Sequence, residues 1–205
     1  MENKIKFLKD DIRVKIKKLL KDVEKGVDYL YEIATTEEKT GLYNYRFFKS
    51  VLNMELEKTK RNNKKMSVVM MDLDHFKKIN DNYGHLVGDK VLIRFAKLLT
   101  KGLRKYDTLC RFGGEEFLVL MPNTPALRAN NACKRITNLL KNDSIMKKYN
   151  ITFSAGITEY KKNDGFNTLK KRADKALYKA KNTGRNKMVI GWTKKRGLFK
   201  VLYKL

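Results

Sequence analysis

The seven residues Arg111-Phe112-Gly113-Gly114-Glu115-Glu116-Phe117 constrain the fold more than any other stretch of this chain. Leu109 and Cys110 precede them and Leu118, Val119 and Leu120 follow, so the glycines and glutamates sit at the tip of a β-hairpin. Paired glycines supply the positive φ angles of a tight reversal and leave bare backbone for a ligand to approach. Taken alone, the motif is an ordinary acidic turn. A second acidic tip stands upstream, where the run from Ser67 to Met71 ends in Asp72-Leu73-Asp74. An unalternating apolar run reads as a strand buried on both faces, and its carboxyl end is where open α/β sheets carry ligand sites. If strand and hairpin are neighbours, Asp72 and Glu115 converge. Hard cations such as Mg²⁺ take a few carboxylate oxygens and keep positions for phosphate, so the pair outlines a nucleotide site.

With these residues in place the sequence resembles the GGDEF-domain diguanylate cyclases, in the Gly-Gly-Glu-Glu-Phe form of their signature. The likeness runs from roughly Thr40 to Ile190. It includes Asp72 to Asp81, Gly84-His85, Gly88-Asp89, Arg172-Ala173-Asp174, and Lys181 with Gly184-Arg185-Asn186. One departure stands at the domain's start: Glu37-Glu38-Lys39 precede Thr40-Gly41-Leu42 where the family has Asp-x-Leu, which bears on how the linker packs locally.

At 205 residues the chain holds one domain of moderate size with appendages. Its 42% hydrophobic and 34% charged residues fit a folded protein. The net charge of +25 favours anionic partners in general and identifies none. Nucleic-acid binding rests on that charge alone, and specific nucleic-acid recognition is not expected. Cys110 and Cys133 lie in apolar surroundings and read as reduced core residues. With no run of about 18 apolar residues and no signal-peptide core, a cytoplasmic location is expected.

In chain order, residues 1–36 read as a linker helix whose Ile16, Leu20, Val23, Val27, Leu30 and Ala34 form a short heptad seam. The seam serves equally a coiled coil joining two copies or packing on its own domain. Residues 37–191 form the catalytic domain. A helix carries Phe47, Phe48, Val51, Leu52 and Leu56, and a helix and turn span His75 to Tyr83. Asp89 is read as the cap of a helix bearing Val91, Leu92, Phe95, Leu98 and Leu99, which Gly102 stops. Beyond the hairpin come a helix over Ala129 to Leu140, a strand over Ile151 to Ile157, a helix over Leu169 to Asn182 and a strand over Lys187 to Ile190. The fold class is α+β: a βαββαβ core, nucleotidyl-cyclase-like, whose mainly antiparallel central sheet is flanked by helices, the economical arrangement stacking them on one side. Residues 192–205, basic and apolar, are a tail that either docks on the protein's own surface or lies as a short helix on anionic lipid.

The resemblance implies an enzyme that joins two GTP molecules into cyclic di-GMP with release of pyrophosphate, one GTP on each domain of a homodimer. It assigns Mg²⁺, with Mn²⁺ as the alternative, to Asp72, Glu115 and the carbonyl of Leu73. Glu115 is the implied proton acceptor, Glu116 its helper and Lys77 a transition-state stabiliser. Asn80, Asp89 and His85 select guanine, Lys181 and Arg185 reach phosphate oxygens, and Gly113 and Gly114 offer backbone. Arg104 and Asp107 match an Arg-x-x-Asp inhibitory site for the product, with Arg135 as a second arm from a neighbouring domain. The competing expectation is a catalytically silent module that binds cyclic di-GMP or GTP in the same pockets.

Overall fold

The computed structural model describes residues 10–191 and the backbone of 200–204. The chain divides into two compact units, residues 1–36 and 37–205. In the first, α1 (Asp10–Thr35) opens on Asp10 and Asp11, acids that suit the positive end of a helix. Leu20, Val23, Val27 and Leu30 of the expected seam are exposed. Among the described residues no helix is long and apolar enough to cross a membrane.

The second unit is built on β1 (Met66–Leu73), all eight residues of which are buried. β1 pairs antiparallel with β3 (Glu116–Pro122) on one side and with β4 (Phe153–Glu159) on the other. β2 (Thr108–Gly113) forms the hairpin with β3, and β5 (Lys187–Ile190) lies parallel to β4, giving the order β2-β3-β1-β4-β5. β6 (Lys200–Lys204) then adds antiparallel to β5. The short helix expected for the tail is therefore not formed over 200–204, and the rest of the tail, 192–199 and 205, lies outside the described residues. Cys110 and Cys133 are free and buried, and burial pushes each thiol up to about 12.

Helices cover both faces of the sheet, not the single face expected. Successive side chains of a strand point to opposite faces, and β1 is apolar at both parities. Val69, Met71 and Leu73 join a core with α3 (Phe76–Tyr83), α4 (His85–Gly102) and α5 (Ala126–Asn142) through Phe76, Phe95, Leu99 and Ile136. Val68 and Met70 join a second core with α2 (Tyr45–Asn62) and α7 (Phe166–Asn182) through Phe48, Leu52, Leu169 and Leu177. A further five-residue helix, α6 (Ser144–Lys148), is capped by Asp143, whose side chain accepts from the backbone of Ile145 and Met146.

Asp89 does not cap α4. The helix begins one turn earlier, at His85, because Gly84 at φ 81° breaks the chain there. Asp89 consequently sits in the second turn with its carboxylate available to other partners.

α7 lies close on β4 because Gly156 has no side chain: a Cβ there would stand 2.0 Å from the carbonyl oxygen of Ala173. Arg172 fastens the same helix. Its guanidinium binds both carboxylate oxygens of Asp164, at 3.1 and 2.6 Å, donates to the carbonyl of Glu159 at 2.6 Å and contacts Thr158. Both members of the ion pair are buried, so removing one strands the other without water. Asp164→Ala is expected to cost about 3–5 kcal/mol of unfolding free energy, whereas replacing both residues by apolar ones of similar volume costs far less. Urea denaturation of the single and double variants checks this.

Candidate active site

Register across the central strands assembles the first part of the site. Asp72 lies opposite Glu116, and the N–H of Leu73 donates to the carbonyl of Glu115 at 3.2 Å. Asp72 is buried at 3% exposure, while Glu115 and Glu116 are partly exposed. The hairpin tip contains a bulge between Arg111 and Gly113. Only Gly114 takes a left-handed conformation, at φ 48°, so one glycine makes the reversal where two were expected. Gly113 and Gly114 are exposed, and a Cβ on either would meet open space, leaving their backbone open to a ligand. Arg111 holds the tip, donating to the carbonyl of Gly114 from Nε at 3.0 Å and Nη2 at 2.8 Å. Its Nη1 binds Glu37 Oε1 at 2.8 Å.

Lys181, at the end of α7, places its Nζ 2.6 Å from Asp72 Oδ2. Burial pushes the Asp72 carboxyl up, against the pull of Lys181; nearby Asp74 raises it further and Arg185 opposes. Burial also raises Glu115 and Glu116, and each is raised again by the charge of Asp72. The three carboxyls thus crowd one another, and the lysine offsets only part of the repulsion. Among the described residues no group of three or more His, Cys, Asp or Glu side chains is arranged as a ready-made metal cage.

Asp74 plays a part that its place in the acidic run does not reveal. It is buried and fully engaged: Oδ1 accepts from the Ser154 hydroxyl at 2.7 Å, and Oδ2 accepts from the Thr152 hydroxyl at 2.7 Å and the Asn186 N–H at 2.9 Å. Asn186 follows Gly184 and Arg185, and all three have positive φ. Lys181 and Arg185 therefore lie on either side of the end of α7, and Asp74 anchors the loop that carries the arginine.

The second part of the site lies on α3 and α4. Asn80 packs over Gly88, where a Cβ would stand 1.9 Å from Asn80 Oδ1; this brings Asn80 to the turn of α4 that bears Asp89. His85 begins α4 and is exposed, and Lys77 is exposed on the first turn of α3. Asp89 Oδ1 pairs with Lys39 Nζ at 2.5 Å. Lys39 follows Glu37, whose Oε2 accepts from the Thr40 N–H at 3.0 Å and hydroxyl at 2.6 Å, and whose Oε1 accepts from the Lys39 N–H at 3.1 Å. Burial alone would raise the Glu37 carboxyl; these hydrogen bonds and the charge of Arg111 together hold it below the usual range. Glu37 is thus well suited to the position where the sequence departs from the family pattern, and Lys39 adds a charge there.

Arg104 and Asp107 close a separate turn between α4 and β2. The Arg104 N–H donates to Asp107 Oδ2 at 2.9 Å, and the Asp107 N–H returns to the Arg104 carbonyl at 3.0 Å. The Arg104 guanidinium reaches the Tyr106 hydroxyl at 3.1 Å. Arg135 of α5 binds the carbonyl of Gly102 and lowers, together with Arg104, an Asp107 carboxyl that burial pushes up. Arg135 therefore stands beside this turn within its own domain. Asp107 Oδ1 is buried with no hydrogen-bond partner among the described residues.

The crowded carboxylates imply a pH dependence. Asp72, Glu115 and Glu116 each bind a proton more tightly in the folded chain than in the unfolded one, so ionising them works against folding. That penalty is absent below the ordinary carboxylate range of about 4 and grows as pH rises through the raised values. In chelator-containing buffer, Glu115→Gln should raise the melting temperature at pH 7 and lose this advantage near pH 4, as thermal denaturation across that range reads directly.

Residues 34–187 match the family described as "Diguanylate cyclase, GGDEF domain". Diguanylate cyclase A of Treponema denticola is 39% identical over 168 residues, which are 78% of this chain and 45% of that protein. The chain thus spans less than half the length of this relative. Among solved structures, the GGDEF domain of DgcB from Caulobacter crescentus, in complex with c-di-GMP, superposes with a TM-score of 0.72 at 28% identity, covering 77% of this chain and 96% of that one. The active GGEEF domain of a diguanylate cyclase from Vibrio cholerae gives 0.69 at 31% identity, covering 73% and 97%. With most of its length matched by the family and its fold shared with these domains, the chain belongs to the GGDEF diguanylate cyclase family.

Proposed function

We propose that this domain condenses two GTP molecules into cyclic di-GMP, releasing pyrophosphate. The observation that carries the proposal is the burial of Asp72 beside Glu115 and Glu116, with the Lys181 ammonium on the cluster, at the carboxyl end of the central strand. Asp72, Glu115 and the carbonyl of Leu73 are the hard oxygen donors that Mg²⁺ takes, with Mn²⁺ as the alternative, and a divalent cation offsets both the burial that raises the two carboxyls and the repulsion that Asp72 adds at Glu115. When bound, the ion offsets the charge of the triphosphate.

The chain's own groups supply the rest. Lys181 exchanges its contact with Asp72 for a phosphate oxygen, Arg185 adds a second cation, and the bare backbone at Gly113 and Gly114 lets the triphosphate approach. Lys77 stabilises the charge that develops on the transferring phosphate. The ribose 3′-oxygen bonds to the α-phosphorus of the second nucleotide as the bond to pyrophosphate breaks, and Glu115, helped by Glu116, receives the hydroxyl proton. Asn80, His85 and Asp89 hold the guanine. Because each domain holds one GTP, two copies must face each other, and the exposed apolar stripe of α1 supports pairing as a coiled coil.

Arg104, Tyr106 and Asp107 form a preset turn with a buried acceptor left open at Asp107 Oδ1, which suits product binding and feedback inhibition.

Incubation with GTP and Mg²⁺ should yield cyclic di-GMP at a rate that rises faster than protein concentration, and Glu115→Gln should abolish it. Absence of product at every concentration, with cyclic di-GMP still bound, would assign the domain to signal reception instead. Arg104→Ala should retain synthesis and shift half-inhibition by added cyclic di-GMP upward by at least about tenfold, as expected for loss of a charge-assisted hydrogen bond; unchanged inhibition would place the product site elsewhere.

A further inference from the structure

Lys39 stands beside the base-selecting carboxylate, and its position is built. Its N–H is held by Glu37 Oε1, and Glu37 is itself fixed by Thr40 and by Arg111, which grips the hairpin tip through the carbonyl of Gly114. The turn closes at Gly41, whose φ of 68° sets the reversal and whose N–H returns to the Glu37 carbonyl at 2.9 Å. From this turn the side chain reaches Asp89 Oδ1, some fifty positions along the chain, at 2.5 Å. Both side chains remain partly open to solvent, at 40% and 37% exposure, so a ligand can reach them.

An ammonium carries three donors, and the contact with Asp89 uses one. Asp89 Oδ2 has no hydrogen bond among the described residues. The pair therefore presents a donor and two acceptors side by side: Lys39 Nζ, Asp89 Oδ1 and Asp89 Oδ2. The Watson–Crick edge of guanine carries the complementary series in the same sequence, the O6 acceptor, the N1 donor and the N2 donor. Adenine offers an N6 donor and an N1 acceptor, which would set donor against ammonium and acceptor against carboxylate.

We propose that Lys39 is a specificity-determining residue that donates to guanine O6 while Asp89 accepts from N1 and N2. The proposal deepens the functional reading above and rests on its placement of guanine at Asp89. Lys39 confers selectivity for a 6-oxo purine, a property that a leucine at this position could not supply. In the free protein it also neutralises Asp89, so that the base meets a prearranged pair and not an isolated charge. A site built to hydrogen-bond a substrate group rejects analogues lacking it strongly, because its own polar atoms are then left unpaired.

The test is equilibrium binding of the uncleavable α,β-methylene analogues of GTP and 6-thio-GTP to the full chain, to Lys39→Met and to Asp89→Asn. Sulfur at position 6 keeps the N1 and N2 donors and weakens the acceptor. The parent should prefer the oxo nucleotide, and Lys39→Met should bind it about tenfold more weakly, as for loss of one charge-assisted hydrogen bond at a part-exposed site, and no longer distinguish the two. Lys39→Arg, which retains a donor, should restore the preference in part. Unchanged or tighter binding of the oxo nucleotide by Lys39→Met, with Asp89→Asn still weakening it, would overturn the role of Lys39 alone. If Asp89→Asn leaves binding unchanged, the placement of the guanine itself fails.

Discussion

The buried carboxylate of Asp74 is the constraint on which the rest of the site depends. A charge in that position is tolerated only because both oxygens are satisfied, by Ser154 and Thr152 on one side and the Asn186 N–H on the other. Those partners lie on β4, just before it, and in the loop between α7 and β5. One side chain therefore locks the end of the central strand to the two segments beside it and, with the Arg185 N–H bond to the Ala180 carbonyl, holds three successive residues at positive φ. Lys181 comes to Asp72 from the last turn of α7, and Arg185 stands in the loop that Asp74 anchors. Remove the lock and the arginine loses its address, although it does not touch Asp74.

Against this rigid frame the three clustered carboxylates are ill at ease. Burial raises the affinity of Asp72, Glu115 and Glu116 for protons, the charge of Asp72 raises both glutamates further, and a single lysine contact on Asp72 leaves that repulsion unresolved. A structure optimised for stability alone would replace such a cluster with apolar side chains. Clusters of this kind gather at sites that bind cations and anionic substrates, where the cost to the empty protein is returned by the ligand. The bare, exposed backbone at Gly113 and Gly114 belongs to the same design: it weakens the strand end and leaves it open to a ligand.

How much of this is legible in the sequence depends on how far each contact reaches. The hairpin and the convergence of Asp72 with Glu115 can be read from local pattern, because two short apolar runs and one turn bring the strand ends together, whereas the register that sets Glu116 directly opposite Asp72 cannot. Lys187 to Ile190 is likewise recovered as β5 to the residue. Asp74 is misleading because it lies beside Asp72 and looks like its twin, yet its partners are far along the chain at Thr152, Ser154 and Asn186. The placement of helices on a single face fails for a related reason: β1 itself is apolar at both parities, and that alone requires a cover on each side. Asp89 looks like a cap because an acid before an apolar helix often is one, but Gly84 starts α4 a turn earlier. The five-residue α6 carries too little periodicity to announce itself, and β6 pairs through its backbone at an edge, where composition says little.

The turn over Glu37 to Leu42 shows why a departure from a family pattern is better read as chemistry than as noise. Glu37 keeps the acidic function and adds a methylene of reach, enough to take two backbone N–H groups, a hydroxyl and a guanidinium at once. That satisfaction makes the turn stiff, and Arg111 transmits the stiffness to the hairpin through Gly114. The tip that would face the phosphates and the lysine that faces Asp89 are then parts of one hydrogen-bonded assembly, not two loops that must find each other. Because a misplacement of about 1 Å is enough to cost two orders of magnitude in rate, such an assembly would, under the function proposed above, position both ends of the nucleotide from the same piece of backbone. The same coupling means that a change at Glu37 would be felt at both ends of the nucleotide, which a purely local linker would not allow.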